Sequence, residues 1–305
     1  MSIVLIALLT ALGFLAVLAL LIMFGIAAWV AHTMTLVRRF PNVSQFGHPS
    51  ELGVAYEDVS FPSRRDKVTL KGWYLPSQPD SRCIIIVAGE QHHRNSPGIK
   101  PLLLGRDLGQ RGFSVLLFDY RGRGESAGTR GSAGDREQWD LLGAMDYVQA
   151  RGIPLERIGL IGFSLGSGVA IIVAAKERRI PAIVSDSGFV DSIPFLKHVP
   201  FYRVYLPSWF ALPIVLAGRL FFGADFSKVR PVREVAKIAP RPIFFIHGAD
   251  DHVIAAYETE ELHRASNNPA NPLWIVPGAR HGRAYDLTRQ EYVQKVSAFF
   301  QPHFK

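Results

Sequence analysis

The stretch Arg157-Ile158-Gly159-Leu160-Ile161-Gly162-Phe163-Ser164-Leu165-Gly166 continues directly into Ser167-Gly168-Val169-Ala170-Ile171-Ile172-Val173-Ala174-Ala175. The first half reads as a short apolar strand and the second as an apolar helix, with a serine at the joint and glycine two residues to either side. A strand that turns straight into a helix forces its apex residue into a strained backbone conformation, and side chains at the flanking positions, Gly162 and Gly166, would collide with the strand and helix beside them. The pattern is that of a nucleophile elbow. Ser164 Oγ would stand clear of the sheet at the positive end of the following helix, and the Leu165 backbone N–H would point at an oxyanion formed on an attacked carbonyl. Five residues also match by chance, and the strand before and the helix after are what raise this one above chance.

A lone serine is a poor nucleophile, so the reading requires a base and an orienting acid further on, in the order Ser, Asp or Glu, His. Pro242-Ile243-Phe244-Phe245-Ile246-His247-Gly248 is a buried strand ending in glycine, and Ala249-Asp250-Asp251-His252-Val253 follows in its loop. Leu273-Trp274-Ile275-Val276 is another strand, leading to Pro277-Gly278-Ala279-Arg280-His281-Gly282. Both candidates fall just past the carboxyl end of a strand, where open α/β sheets place their ligands.

With these residues in place, the chain from about residue 53 to the end resembles the α/β-hydrolase superfamily. The resemblance puts the nucleophile on Ser164 and the histidine on His281. Members commonly read His-Gly-x-x-Asp-x-x-Val/Ile-Pro, and His247-Gly248-Ala249-Asp250-Asp251-His252-Val253-Ile254 places that aspartate on Asp251; Asp250, one residue short, is the alternative. The proline is absent, since Ala255 follows Ile254. The family's second oxyanion donor comes from the loop after the third strand, here Cys83-Ile84-Ile85-Ile86-Val87-Ala88-Gly89-Glu90-Gln91, which implies the Glu90 backbone N–H. Many members have His-Gly where this chain has Ala88-Gly89. Gln91, His92, Phe189, Tyr205 and Trp209 are the candidate substrate contacts; the alternative for His92, His93 and Arg94 is an exposed polar loop. Phe118-Asp119-Tyr120-Arg121-Gly122-Arg123-Gly124-Glu125-Ser126 looks like the family's fourth strand and turn, with Asp119 and Arg121 holding that turn by charge-assisted hydrogen bonds.

The rest of the chain alternates in the same order. Val54 to Phe61 and Val68 to Tyr74 read as a leading antiparallel pair. Strands at 83–88, 114–119, 158–163 and 182–186 then alternate with helices near 97–111, 135–150 and 165–177. The helix at 135–150 carries Trp139, Leu142, Met145 or Asp146, and Val148 around helical spacing. Such alternation argues for an α/β fold, a mostly parallel sheet with helices on both faces. No metal-spaced His/Cys cluster appears, and the glycine-rich Gly162–Gly168 lacks the lysine of a phosphate-binding loop. The sequence therefore implies no cofactor and no metal.

Between the sixth and seventh of these strands, residues 188–240 break the alternation in a short, very apolar stretch that includes Phe195, Tyr202, Trp209, Phe210, Leu216 and Phe221. In the family an insertion here forms a cap. It reads either as a helical cap on the core or as a lid that also touches lipid and admits acyl chains.

From Ile3 to Ala31 there is no charged residue. The run exceeds the ~20 apolar residues that cross a ~30 Å hydrocarbon core and the ~7–15 of a signal-peptide core. Residues 1–35 are thus expected to be a transmembrane anchor, 36–52 a linker and 53–305 the hydrolase domain; cleavage after Ala31 is the alternative. Arg38 and Arg39 just past the span favour a cytoplasmic domain by the positive-inside rule; a periplasmic or extracellular domain is the alternative. The net charge of +8 lies outside the span and suits an anionic membrane surface, at ~1 kcal/mol per basic residue near it. Basic residues are scattered without a nucleic-acid-binding motif, so no nucleic-acid partner is expected. Cys83, the only cysteine, allows no intrachain disulfide. The resemblance implies a serine hydrolase, with an ester or thioester of a lipid-like acyl group as the expected small-molecule substrate. A peptidase, an acyltransferase or a non-catalytic binding protein on the same fold are the alternatives.

Overall fold

The computed structural model describes residues 3–304 apart from 38, 41, 78–80, 197 and 200–203, with backbone alone at 46, 195–196, 198–199 and 204–205. Thirty-three residues free of proline and charge form one helix, α1 (Ile3–Thr35). Strands β1 (Glu57–Pro62) and β2 (Thr69–Leu75) pair antiparallel, with Val59 opposite Gly72. Then come β3 (Cys83–Val87), α2 (Pro101–Gly109), β4 (Ser114–Phe118), α3 (Glu137–Ala150), β5 (Ile158–Phe163), α4 (Leu165–Lys176) and β6 (Ile183–Asp186). Short elements α5 (Ile193–Leu196), β7 (His198–Val199), β8 (Val204–Tyr205) and α6 (Ala211–Ala217) occupy the stretch expected to be the cap. The chain returns through β9 (Ile243–Gly248), α7 (Ala256–Ala265), β10 (Leu273–Val276), α8 (Ala284–Leu287) and α9 (Arg289–Phe300).

Eight strands form one sheet in the order β1-β2-β4-β3-β5-β6-β9-β10, parallel from β4 onward. Every residue of β3, β4, β5, β6 and β9 is buried, as a parallel sheet covered on both faces requires. Alternation along β3 divides the core. Ile85 and Val87 pack with Met145, Val148 and Val169 from α3 and α4, whereas Ile84 and Ile86 pack with Leu104, Val296 and Phe300 from α2 and α9. This is the α/β-hydrolase fold, and it sets the carboxyl ends of β3, β5, β9 and β10 along one edge.

A third apolar cluster stands apart from these two. Phe210, Ile214, Val215 and Ala217 of the cap bury their side chains against Ala27, Val30 and Ala31 of α1. The last third of α1 is also tied by polar contacts: the Gly131 N–H donates to Thr35 O (3.1 Å), and the Arg130 guanidinium reaches Thr35 Oγ1 (3.0 Å) and His32 Nδ1 (3.0 Å). Arg38, one of the two arginines after the apolar run, lies outside the described residues; Arg39 is described.

Candidate active site

Ser164 closes β5 with φ 53° and ψ −115°, a conformation L-residues avoid, and opens α4. Holding it there costs on the order of 1–3 kcal/mol, which the surrounding contacts must offset. A Cβ on Gly162 would come within 2.4 Å of Gly166 O, and one on Gly166 within 2.1 Å of Val87 O. Both positions therefore exclude any side chain, and the second presses the elbow onto the end of β3. The Leu165 N–H lies in the first turn of α4, where the helix offers no acceptor. The Ser164 N–H itself donates to Asp186 O (2.9 Å) at the end of β6.

The next residue, Ser187, has φ 53° and holds the other side of the site: its Oγ donates to Asp186 Oδ1 (2.9 Å) and accepts from the Gly282 N–H (3.0 Å). Asp186 and Ser187 thus tie the elbow and the His281 loop to consecutive residues. His281 Nδ1 meets Asp251 Oδ2 at 2.6 Å, which leaves Nε2 outside that contact. The other oxygen, Asp251 Oδ1, accepts from the N–H groups of Val253 (2.8 Å) and Ile254 (2.9 Å). A second histidine reaches the same carboxylate. His247, fully buried on β9, puts Nε2 3.0 Å from Asp251 Oδ2 and 2.9 Å from Ile254 O, while Nδ1 meets Thr259 Oγ1 at 2.6 Å. Burial alone would raise the Asp251 carboxyl, but hydrogen bonds from His247 and His281 outweigh it and hold the group well below the usual carboxylate range. Burial would lower His247, and the bond to Asp251 reverses that, so its imidazole protonates more readily than a free one.

The loop after β3 closes the third side. A Cβ on Gly89 would lie 3.4 Å from both Ser164 Cβ and Phe163 O, so the loop passes directly against Ser164. Next to it, Glu90 is clamped by Arg123, whose guanidinium donates to the Glu90 carbonyl, to Glu90 Oε1 (2.5 Å) and to Glu137 Oε1 (3.1 Å). Glu137 in turn accepts from the N–H groups of Ser132 (2.9 Å) and Gly134 (2.9 Å). Burial would raise its carboxyl, but the charge of Arg123 and the hydroxyl and N–H of Ser132 bring it down to about 2. Two more arginines brace the turn beyond β4. Arg94 pairs with Asp119 and Glu125 and stacks over Trp73, and Arg121 pairs with Asp140 (2.6 Å) and Asp66 (2.6 Å). Asp119 and Arg121 therefore hold the turn, as their place in the sequence implies.

A profile of the prolyl oligopeptidase family matches residues 106–305, the span that carries Ser164, Asp251 and His281. The chain belongs to this family. With it comes the α/β-hydrolase superfamily and the serine-hydrolase class. An esterase of Pyrococcus furiosus superposes with a TM-score of 0.70 at 25% identity, covering 89% of this chain and 99% of that one. The protein YfhR of Salmonella typhimurium is 28% identical over 262 residues, 79% of this chain and 81% of its own. A lysophosphatidylserine lipase of Macaca fascicularis is 31% identical over 192 residues, which span 60% of this chain and 45% of the lipase.

Set in this prolyl oligopeptidase scaffold, the residues singled out by sequence separate into two groups. Ser164, Leu165, Gly89, Glu90, Asp251 and His281 gather at one edge of the sheet. Asp250 is exposed in the loop, whereas the Asp251 carboxylate is buried on His281. His92 is close by: its ring packs on Gly98, burial with the neighbouring His281 lowers it to about 4, and its buried Nδ1 has no partner. His93 and Arg94 are buried, which corrects the reading of this loop as exposed; the Asp119 carboxylate draws Arg94 inward. Three substrate candidates go elsewhere. Phe189 is a core residue whose ring lies against Gly168, Trp209 faces outward beside α1, and exposed Gln91 donates from Nε2 to Leu36 O (3.2 Å). The side chain of Tyr205 lies outside the described residues. Sequence reading missed His247, Ser187 and Arg123 as supports. Two carried signals: His247 opens the His-Gly-x-x-Asp motif, and Arg123 stands between two glycines of a turn.

Proposed function

We propose that the protein is a carboxylic ester or thioester hydrolase acting on lipid-like acyl substrates, with Ser164 as nucleophile, His281 as base and Asp251 as orienting acid. The observation that carries the reading is the 2.6 Å contact between Asp251 Oδ2 and His281 Nδ1, which leaves Nε2 free for the serine proton. Ser164 Oγ attacks the acyl carbonyl as its proton passes to His281 Nε2, and the ionised Asp251 stabilises the imidazolium. The N–H groups of Leu165 and Glu90 receive the oxyanion, with Arg123 fixing Glu90 in place. His281 then gives the proton to the departing alkoxide or thiolate, leaving an acyl-enzyme. Water attacks it in turn, its proton going to His281 and then to Ser164 as the acid departs. The neutral His92, with an unpartnered Nδ1, is available to a polar group of the substrate.

The lipid-like substrate is supported by α1, a candidate membrane anchor, and by the lysophospholipid named for one relative. Cytoplasmic placement rests on Arg38 and Arg39 after the span. The family name favours one second reading, a peptidase using the same residues. A fluorophosphonate should label the full-length protein, and Ser164→Ala should abolish labelling and lower ester turnover by roughly 10⁴-fold or more. An unlabelled wild-type protein would refute the enzyme. Among substrates, long-chain p-nitrophenyl esters should be cleaved; turnover of short esters alone would remove the lipid-like class, and cleavage of peptides in preference to esters would establish the peptidase.

A further inference from the structure

The cap presents two faces. One packs on α1 through Phe210, Ile214, Val215 and Ala217. The other carries Trp209, Leu212, Leu216 and Leu220, three or four residues apart and hence on one side of the helix, with Phe221 beside them. These apolar side chains are 63% (Trp209), 65% (Leu212), 40% (Leu216), 71% (Leu220) and 58% (Phe221) exposed, far more contiguous apolar surface than isolated exposed residues would make.

The relation of this face to α1 sets its level. Residues Ile3 to Ile22 are all exposed, twenty in number, and burial begins only at Met23. At ~1.5 Å per residue that free length is ~30 Å, the thickness of a bilayer's hydrocarbon core. The cap helix packs against the second half of α1. Trp209 and Phe210 form, with Ala16, Leu20, Met23 and Ile26, a wholly apolar groove of about 710 Å³. Phe221 meets Phe24 at 5.8 Å, and Phe222 meets His32 at 5.6 Å under the Arg130 guanidinium. Trp209 and Phe221, from the two ends of the cap helix, therefore both reach α1 close to Met23 and Phe24, where the free span ends.

We propose that the outer face of the cap, Trp209, Leu212, Leu216, Leu220 and Phe221, is a second membrane contact, lying among lipid acyl chains at the hydrocarbon boundary beside α1. It rests on α1 crossing the bilayer and is independent of the catalytic assignment. The groove between α1 and Trp209 is then filled by lipid chains, and the aromatic ring sits where tryptophans anchor helices at membrane interfaces.

The test uses the full-length chain in phosphatidylcholine vesicles, with Leu212→Cys or Leu220→Cys carrying an environment-sensitive fluorophore. Cys83 is fully buried and does not compete for the label. Leu12→Cys on α1 and Tyr257→Cys on α7 are the membrane and water references, and thermal unfolding verifies that each variant is folded. Both cap positions should be quenched by doxyl-labelled lipid as Leu12→Cys is, with iodide quenching at least about fivefold weaker than at Tyr257→Cys, as burial among acyl chains implies. Iodide quenching equal to that at Tyr257→Cys overturns the proposal. So does shielding from both quenchers, which assigns the face to a second copy of the chain, and so does an unquenched Leu12→Cys, which removes the span itself. Fluorophosphonate labelling of the same samples reports separately on Ser164, so failure of the membrane contact is distinguishable from failure of the hydrolase.

Discussion

The floor of the site and the cap are assembled by different forces. On the floor, backbone passes so close to backbone that Gly162 and Gly166 admit no Cβ, and the chemistry-bearing side chains hold charged or hydrogen-bonded partners: Asp251 with two histidines, Arg123 with two glutamates. In the cap, helix 208–222 is joined to α1 through aliphatic and aromatic contacts and leaves an apolar face outward. Hydrogen bonds and steric closure fix positions to fractions of an ångström. Apolar contact fixes only that a surface is covered. The floor should therefore break abruptly under small changes, and the cap should yield by degrees.

The largest effect is expected at Gly166. A methyl group there would lie 2.1 Å from Val87 O and 2.6 Å from Ala88 O, backbone atoms of a central strand that cannot step aside. Gly166→Ala should cost upwards of ~4 kcal/mol in urea unfolding and abolish fluorophosphonate labelling. Gly109→Ala is the matched control: nothing lies within 4 Å of the added carbon, and removing a helical glycine should be neutral or stabilising by up to ~1 kcal/mol. Equal stability of the two variants would show that the elbow is not closed by this contact.

Next in size is a contrast within the floor, between two buried carboxylates at strand ends. Asp251 is held below the usual range by its histidines, so its contribution to stability is present above its unfolded value near 3.8 and is lost as pH falls through the folded value. Asp186 goes the other way. Burial raises it to about 6, only partly offset by the hydroxyls of Ser187 and Tyr292. Between 3.8 and about 6 the native state keeps a proton that the unfolded chain has released. Stability therefore falls as pH rises across that window, by roughly 3 kcal/mol for a pKa raised by ~2. Asp186→Asn, which retains an acceptor for Ser187, should remove this slope: the difference in unfolding free energy between variant and wild type should grow from pH 4 to 6 and then level off. A difference independent of pH would return Asp186 to the ordinary carboxylate range.

The same contrast explains what could be read from the sequence. Gly162, Ser164, Gly166, Asp251 and His281 were legible because each sits at a strand end whose geometry permits few residue types, and their spacing survives in the linear order. The parallel core was legible because strands buried on both faces are continuous apolar runs. Helix α3 was legible in place but not in orientation. Its core face is Leu141, Ala144, Met145 and Val148, while Trp139 stays at the surface because the guanidinium of Arg65, 4.8 Å away, and that of Arg121, 5.6 Å away, cover its ring. The cap was least legible. Its outward Trp209 and inward Ile214 are equally apolar, and the helix that tells them apart, α1, is about 180 residues distant with no motif to mark the meeting. His247 opens the motif that ends on Asp251, but the motif alone does not tell that the loop after β9 folds back to set the imidazole on that carboxylate.

The smallest effect separates cap from floor most directly. Ile214 is fully buried, yet its neighbours are in α1 and the cap and not among the residues that surround the sheet. Ile214→Ala opens a cavity that in a sheet core would cost ~2–5 kcal/mol. Here that loss should go into loosening the cap. Hydrogen exchange over 208–222 should speed by roughly 10-fold or more, while the unfolding midpoint of the sheet and the fluorophosphonate rate move by less than about 1 kcal/mol equivalent, as expected when one region opens on its own. Ile85→Ala, an equally buried isoleucine in β3, should reverse the pattern, with global unfolding shifted by the full amount. If Ile214→Ala lowered the global midpoint as far as Ile85→Ala, cap and floor would be one cooperative unit, and α1 would be part of what holds the sheet together.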